Sequence, residues 1–187
     1  NRRLVLEYIV NNPPVSRAAL SKQLKLTKAT ISAIVQDLLA QNLILEIGSA
    51  KTSLGRKPIL LEFNQQYGYA LAIDVRPRQI LTLISDLKGE NCHVQEYPFP
   101  PEVQLLPLLS RIIQETLEQY EQKTRKVLGI SIGIYGVVQK NQVLFTPYYP
   151  LPHPDLGRLL EEEFHNPVLV ENEAKLGGQG DCGFQCY

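Results

Sequence analysis

From Tyr67 onward the hydrophobic period of this chain changes, and that change limits its fold more than any other feature. Before it, apolar residues recur at three- and four-residue steps, as along one face of a helix. Beyond it, Tyr69, Leu71 and Ile73 alternate with Ala70, Ala72 and Asp74, as along a strand. The chain therefore divides into a front domain, residues 1–64, and an α/β back domain, residues 65–187. Charge follows the same division. The front holds nine Lys/Arg against four acids and the back ten against fifteen, within a net charge of zero. A basic small domain points to a polyanion, and nucleic acid is the usual one.

Composition excludes several classes. The chain is 44% hydrophobic and 20% charged, an ordinary globular balance. No apolar run approaches the ~18 residues of a membrane span, so no membrane partner is expected. Asn1-Arg2-Arg3-Leu4 leads to no small-residue cleavage site, so no signal peptide is expected and the cytoplasm is the expected compartment. Three cysteines, an odd count, argue against a disulfide framework. Cys182-x-x-x-Cys186 has no nearby histidine to complete a zinc site, so these thiols read as free and no cofactor is expected.

Three helices are predicted in the front domain. Residues 2–11 carry Val5, Leu6, Ile9 and Val10 and end at Pro13-Pro14. Ser16 is a good N-cap for a second helix through Leu24. Thr27 caps a third, to about Gln41, with Ile31, Ile34, Val35, Leu38 and Leu39 inward. Its other face carries Lys28, Ala29, Ser32, Ala33 and Gln36. Two helices joined by a tight turn, the second with a small polar face, read as helix-turn-helix. A recognition helix must enter a major groove about 12 Å wide, which favours short or hydrogen-bonding side chains there. A structural three-helix bundle would more often carry Glu and Lys on that face. The expected DNA contacts are Ser16, Arg17, Thr27, Lys28, Ala29, Thr30 and Ser32. Leu43–Ile47 and Pro58–Phe63 read as strands flanking a basic loop, GSAKTSLGRK, which makes a wing with Lys51, Arg56 and Lys57 as further contacts.

In the back domain the predicted order is β-β-β-α-β-α-β, an α/β fold with a mixed sheet. Its strands are at Tyr67 onward, 80–87, 91–99, 127–135 and 168–170, with helices at 102–122 and 155–165. VLGISIGIY at 127–135 is continuously apolar and is expected to be central and buried on both faces. Ligands in such sheets sit beyond the carboxyl ends of strands, where Gly133-Ile-Tyr-Gly136 and Glu171-Asn172-Glu173 fall. A carboxylate and an amide there can accept from and donate to a pair of ligand hydroxyls, or act as a base, although acidic residues at strand ends are more often helix N-caps or solvated.

The chain resembles the ROK family (repressors, open reading frames and sugar kinases), in its transcriptional regulator branch. SRAALSKQLKLTKATISAIVQDLLAQNLILEIG resembles the family's winged helix-turn-helix, and SLGRKPILLEFN its wing and exit. LGISIGIYGVV resembles the strand ending in a sugar loop, and DLGRLLEEEFHNPVLVENEA the helix and strand before an Asn-Glu/Asp-Ala signature. The resemblance implies an α+β protein: an N-terminal winged helix-turn-helix, then one α/β ribonuclease H-like (actin-like ATPase) lobe. It implies sugar contacts at Gly133, Gly136, Asn172 and Glu173. The implied partners are double-stranded DNA with an inverted-repeat operator, a sugar or sugar phosphate, and a second copy of the chain. The implied function is a transcriptional regulator, a repressor rather than an enzyme.

Three departures bear on that reading. Asp74-Val75-Arg76-Pro77-Arg78-Gln79 stands where the family's kinases carry a glycine-rich phosphate loop, Glu173 where they carry a catalytic Asp, and Tyr148 where the family has a sugar-contacting Asn. The first two favour a sugar sensor over a kinase; the third points to a different ligand or to lost binding. The second lobe of the family has no counterpart, and the tail leaves the family pattern after Gly177, so the sequence reads as truncated. The alternatives are a sugar kinase fragment and a non-catalytic dimerising remnant.

Overall fold

The computed structural model describes residues 1–49, 58–121, 125–151 and 153–173. The chain forms two compact units, Asn1–Gln65 and Gln66–Tyr187.

In the front unit, α1 (Arg2–Asn11), α2 (Arg17–Leu24) and α3 (Lys28–Ala40) pack on a small antiparallel sheet. The sheet contains β1 (Val15–Ser16), β2 (Ile44–Ser49) and β3 (Ile59–Phe63), in the order β1-β3-β2. The helix starts follow from their caps. Ser16 Oγ accepts from the Ala19 N–H at 3.2 Å, and Thr27 Oγ1 from the Thr30 N–H at 3.1 Å. Each cap satisfies a donor that the helix leaves free and contributes about 1 kcal/mol. Burial contributes more. Val5, Ile9, Leu20, Ile31, Val35, Leu38 and Leu61 are fully buried in one cluster, at about 1.5–3 kcal/mol each for a large aliphatic. Val10, expected on the same stripe, is exposed instead.

In the back unit, β4 (Tyr69–Val75), β5 (Gln79–Asp86), β6 (His93–Pro98), β7 (Val127–Ile134) and β10 (Val168–Asn172) form one mixed sheet. Its order is β10-β7-β4-β5-β6. The strands β4, β7 and β10 run parallel, and β5 and β6 continue antiparallel from β4. Register places Leu71, Ile73 and Val75 level with Ile130, Ile132 and Ile134, and these level with Val168, Val170 and Asn172. That face is buried with α4 (Leu105–Tyr120) and α5 (Leu156–Phe164), through Leu109, Ile112, Ile113 and Leu160. The strand β7 lies between β4 and β10, but it is not buried throughout. Leu128 is 40% exposed where a bulge falls between the paired residues Tyr69 and Ala70. Cys92 is disulfide-bonded, against the expectation from the odd count, while Cys182 and Cys186 lie outside the described residues.

A hairpin of β8 (Val137–Gln139) and β9 (Gln142–Phe145) has no counterpart in the sequence expectation. Its two-residue turn puts Lys140 and Asn141 at φ of 50° and 68°, the left-handed geometry such turns require. Asn141 then acts as a surrogate strand beside β10, the edge of the sheet among the described residues. Its Nδ2 donates to Val168 O at 3.0 Å, and its Oδ1 accepts from the Val170 N–H. A Cβ on Gly157 would sit 2.7 Å from Asn141 Nδ2, so only glycine admits this contact. Asn141→Ala leaves a strand-edge donor and acceptor without their partner. Loss of about 1–3 kcal/mol of stability is expected, read as a lowered midpoint in urea denaturation of the whole chain; an unchanged midpoint would refute this role for the side chain.

Candidate nucleic-acid and ligand sites

In the front unit the rotation of α3 is fixed by its buried stripe, Ile31, Val35 and Leu38. The opposite side is therefore presented outward. Lys28, Ala29, Ser32, Ala33 and Gln36 are all exposed, with Lys22 and Lys25 exposed on and after α2. Thr27 is also exposed, while Thr30 is half-buried, and their hydroxyls are bonded to each other at 2.9 Å. Two expected contacts have structural duties. Ser16 is half-buried and caps α2. Arg17 places a guanidinium nitrogen 2.9 Å from Glu46 Oε1, which ties α2 to β2. Asp37, the acid of α3, is neutralised by Arg2 at 2.7 Å. Lys51, Arg56 and Lys57 lie outside the described residues.

In the back unit the carboxyl ends of β4, β7 and β10 lie together. Asp74 is level with Gly133, and Gly133 with Glu171. Gly133 is buried, whereas Asn172 and Glu173 are half-buried. The two glycines and Asn172 do not have equivalent surroundings. A Cβ on Gly136 would overlap the carbonyl oxygen of Phe145, so the close approach here is made by the β9 backbone. Asn172 Nδ2 donates to Gly136 O at 2.6 Å and so holds the turn between β7 and β8. Glu173 differs: its Oε2 is buried and has no hydrogen-bond partner.

Sequence reasoning assigns no ligand role to two residues beside these. Asp74 Oδ1 is also buried without a partner, while its Oδ2 accepts from Arg76 Nε at 2.7 Å. The bond to Asp74 raises the Arg76 guanidinium further above its already high range, so it stays charged. Tyr149 closes this end of the sheet. Its phenol donates to Val75 O at 3.3 Å, and burial pushes it well above its ordinary range, so it remains protonated. Tyr148 is 57% exposed, its ring centroid 6.5 Å from that of Tyr135. A signal for Asp74 exists in the sequence, since an acid near the end of an apolar strand is the same feature that picks out Glu173. A groove of about 420 Å³ lies at the other end of the sheet, lined by Tyr69, Leu128, Pro167 and Leu169 among others. Among the described residues no cluster of His, Cys, Asp and Glu could hold a metal, and no helix is long and apolar enough to cross a membrane.

These features define a class: a winged helix-turn-helix unit joined to an α/β lobe with its polar residues at the parallel strand ends. The ROK family profile matches residues 70–183, and a MarR family profile matches residues 2–50. The chain belongs to the ROK family. It is 35% identical over 187 residues to a xylose repressor of Bacillus spizizenii, covering 97% of this chain and 48% of that protein. It is 24% identical over 179 residues to the DNA-binding transcriptional dual regulator NagC of Escherichia coli, covering 94% and 44%. A crystal structure of a ROK family transcriptional regulator, described as a homolog of the E. coli MLC protein, superposes with a TM-score of 0.76 at 25% identity, covering 92% of this chain and 45% of that one. A ROK family glucokinase from Streptomyces griseus, in complex with glucose and AMPPNP, shares the fold at a TM-score of 0.53 and 23% identity over 63% of this chain and 37% of that one. The chain spans about half the length of the curated relatives it matches.

Gly136→Ala gives a direct test of the site's framework. The added methyl group must displace the backbone of Phe145, so a loss of about 1–3 kcal/mol is expected. Thermal denaturation should show the loss, and wild-type stability in this variant would show that the turn and β9 are not held against each other.

Proposed function

We propose that this chain is a sugar-responsive, DNA-binding transcriptional repressor that works by binding rather than by catalysis. The observation that carries this reading is the outward face of α3. It is small, polar and basic, it is fixed by a fully buried stripe, and it belongs to a unit joined to a ROK lobe. Relatives named xylose repressor and N-acetylglucosamine repressor support both halves of the reading. Lys28, Lys51, Arg56 and Lys57 contact phosphate; Ala29 and Ser32 approach base edges; Thr27 and Thr30, at the first turn, orient α3 on the backbone. Ser16 and Arg17 act chiefly by fixing α2 against the sheet. In the back unit, Glu173 accepts hydroxyl hydrogens from a sugar, while Gly133, Gly136 and Asn172 shape the loop around it. A second copy of the chain supplies the other recognition helix for an inverted-repeat operator. Sugar changes DNA affinity only so far as it binds the DNA-competent and DNA-free states unequally.

Two observations favour sensing over phosphoryl transfer. The turn between β4 and β5 contains no glycine, and its Arg76 N–H is bonded to Gln79 O at 2.9 Å, so it is not free to cradle a phosphate. The ligand-side residue Glu173 also carries a longer arm than the aspartate of the kinases. ATP turnover stimulated by a sugar would overturn the non-catalytic reading.

The test is selection of bound duplexes from a randomised DNA pool at near-physiological salt. Enrichment of an inverted repeat is expected, and no enrichment would remove the DNA-reading function. On the selected duplex, Lys28→Ala should weaken binding and reduce the salt slope by about one. Ser32→Ala should alter sequence preference with the salt slope unchanged. An unchanged slope in Lys28→Ala would move the interface away from α3.

A further inference from the structure

We propose that Asp74 is a ligand contact of the strand-end site, and that its pairing with Arg76 makes the site select neutral polyhydroxyl compounds over anionic ones. This rests on the reading of that site as a sugar site and adds to it a binding residue and a charge selectivity.

Placement comes first. Asp74, Gly133 and Glu171 are neighbours across three parallel strands, on the face opposite the helix-packed one. Strands lie about 4.8 Å apart, so the two acids are separated by about 10 Å of backbone, and the residue between them has no side chain. Glu173 follows Glu171 two residues further on. The strands are parallel, so Glu173, just past the end of β10, lies at the same end of the sheet as Asp74 near the end of β4.

Hydrogen bonding comes next. One oxygen of Asp74 is occupied by Arg76 at 2.7 Å, while the other is buried and unmatched. Glu173 Oε2 is in the same condition. A buried acceptor without a donor is costly, and a ligand that brings a donor relieves the cost. Both open positions accept and neither donates, so the fitting ligand presents two hydroxyl hydrogens. A carboxylate or phosphate oxygen presents none. Charge points the same way. Arg76 offsets Asp74, and Glu173 adds a second carboxylate at these strand ends, so an anionic group meets net repulsion. The ion pair is itself part-exposed, with side-chain exposures of 40% and 32%, so its role is to hold one carboxylate oxygen and aim the other rather than to stabilise the fold.

The test titrates the whole chain calorimetrically with D-xylose, with N-acetylglucosamine and with D-xylonate, the carboxylate counterpart of xylose. The wild type is expected to bind a neutral sugar more tightly than xylonate. Asp74→Asn is expected to weaken the neutral sugar roughly tenfold or more. The same variant should improve xylonate relative to it, because Arg76 is then left with an unpaired charge. Arg76→Gln should shift the ratio the opposite way, by removing the cation and leaving Asp74 to repel the anion; Arg76→Lys should restore the wild-type ratio. Opposite shifts distinguish ligand contact from a general loosening, and melting curves of each variant check the fold. If Asp74→Asn leaves all affinities unchanged while Glu173→Gln removes binding, Asp74 is not a contact and the sugar site stands. If xylonate is preferred by the wild type, the charge selectivity is wrong. If none of the three ligands binds, or if both variants bind as the wild type does, the sugar-site reading falls and this proposal falls with it.

Discussion

The parallel register of β4, β7 and β10 is the constraint on which the back unit depends. Their shared apolar face sets it: Ile73 lies level with Ile132, and Ile132 with Val170. Residues alternate across a sheet, so fixing that face fixes the other, and Asp74, Gly133 and Glu171 are brought into one row without any direct attraction between them. A slip of one residue in β4 would turn Asp74 into the helix-packed core, where an ionised carboxylate is not tolerated. The hydrophobic effect thus positions polar groups it does not touch. Asn141 extends the same logic to the edge of the sheet, since its amide bonds to β10 where no further strand pairs among the described residues.

The front unit divides its labour differently. Burial of Ile31, Val35 and Leu38 sets the rotation of α3, and exposed ion pairs set its neighbours. Arg2 to Asp37 and Arg17 to Glu46 are partly solvated and contribute about 0–1 kcal/mol each. Their consequence is electrostatic rather than energetic. Each neutralises an acid near the helix-turn-helix, so neither acid offsets the lysines at 22, 25 and 28, which face outward. Arg17 differs from those lysines in being paired within the unit, to a carboxylate on β2.

Most of the fold is legible in the sequence because its signals are local. Ser16 and Thr27 cap where a hydroxyl precedes a three-four apolar stripe, and both helices begin one residue later. The strands β4, β5, β7 and β10 are visible as alternating or continuous apolar runs. The hairpin of β8 and β9 is not, because strands of three and four residues are too short to display a period. The site is half legible. Residue types at strand ends bring Glu173 forward as a candidate. They do not reveal that the tight approach at Gly136 is to Phe145, or that the amide of Asn172 is used by Gly136, because both depend on a partner far along the chain. Asp74 carries the same strand-end signal as Glu173, but its hydrogen bonding is not legible in the sequence. Only the neighbours show that one of its oxygens is taken and the other is not.

The segment 74–79 carries this contrast furthest. In a glycine-rich phosphate loop, the recognising groups are backbone N–H donors, and their number and direction are fixed by the fold. Here the backbone closes a tight turn on itself through Arg76 and Gln79, and the positive charge is moved onto a side chain. A side-chain cation can be offset by a neighbour, as Asp74 offsets Arg76 at 2.7 Å. Backbone donors have no such counter-charge. The same corner of the sheet thereby changes from a place that draws anions to one that presents a carboxylate oxygen. That oxygen suits a hydroxyl, and the corner keeps its strand-end position while the chemistry it can recognise is altered.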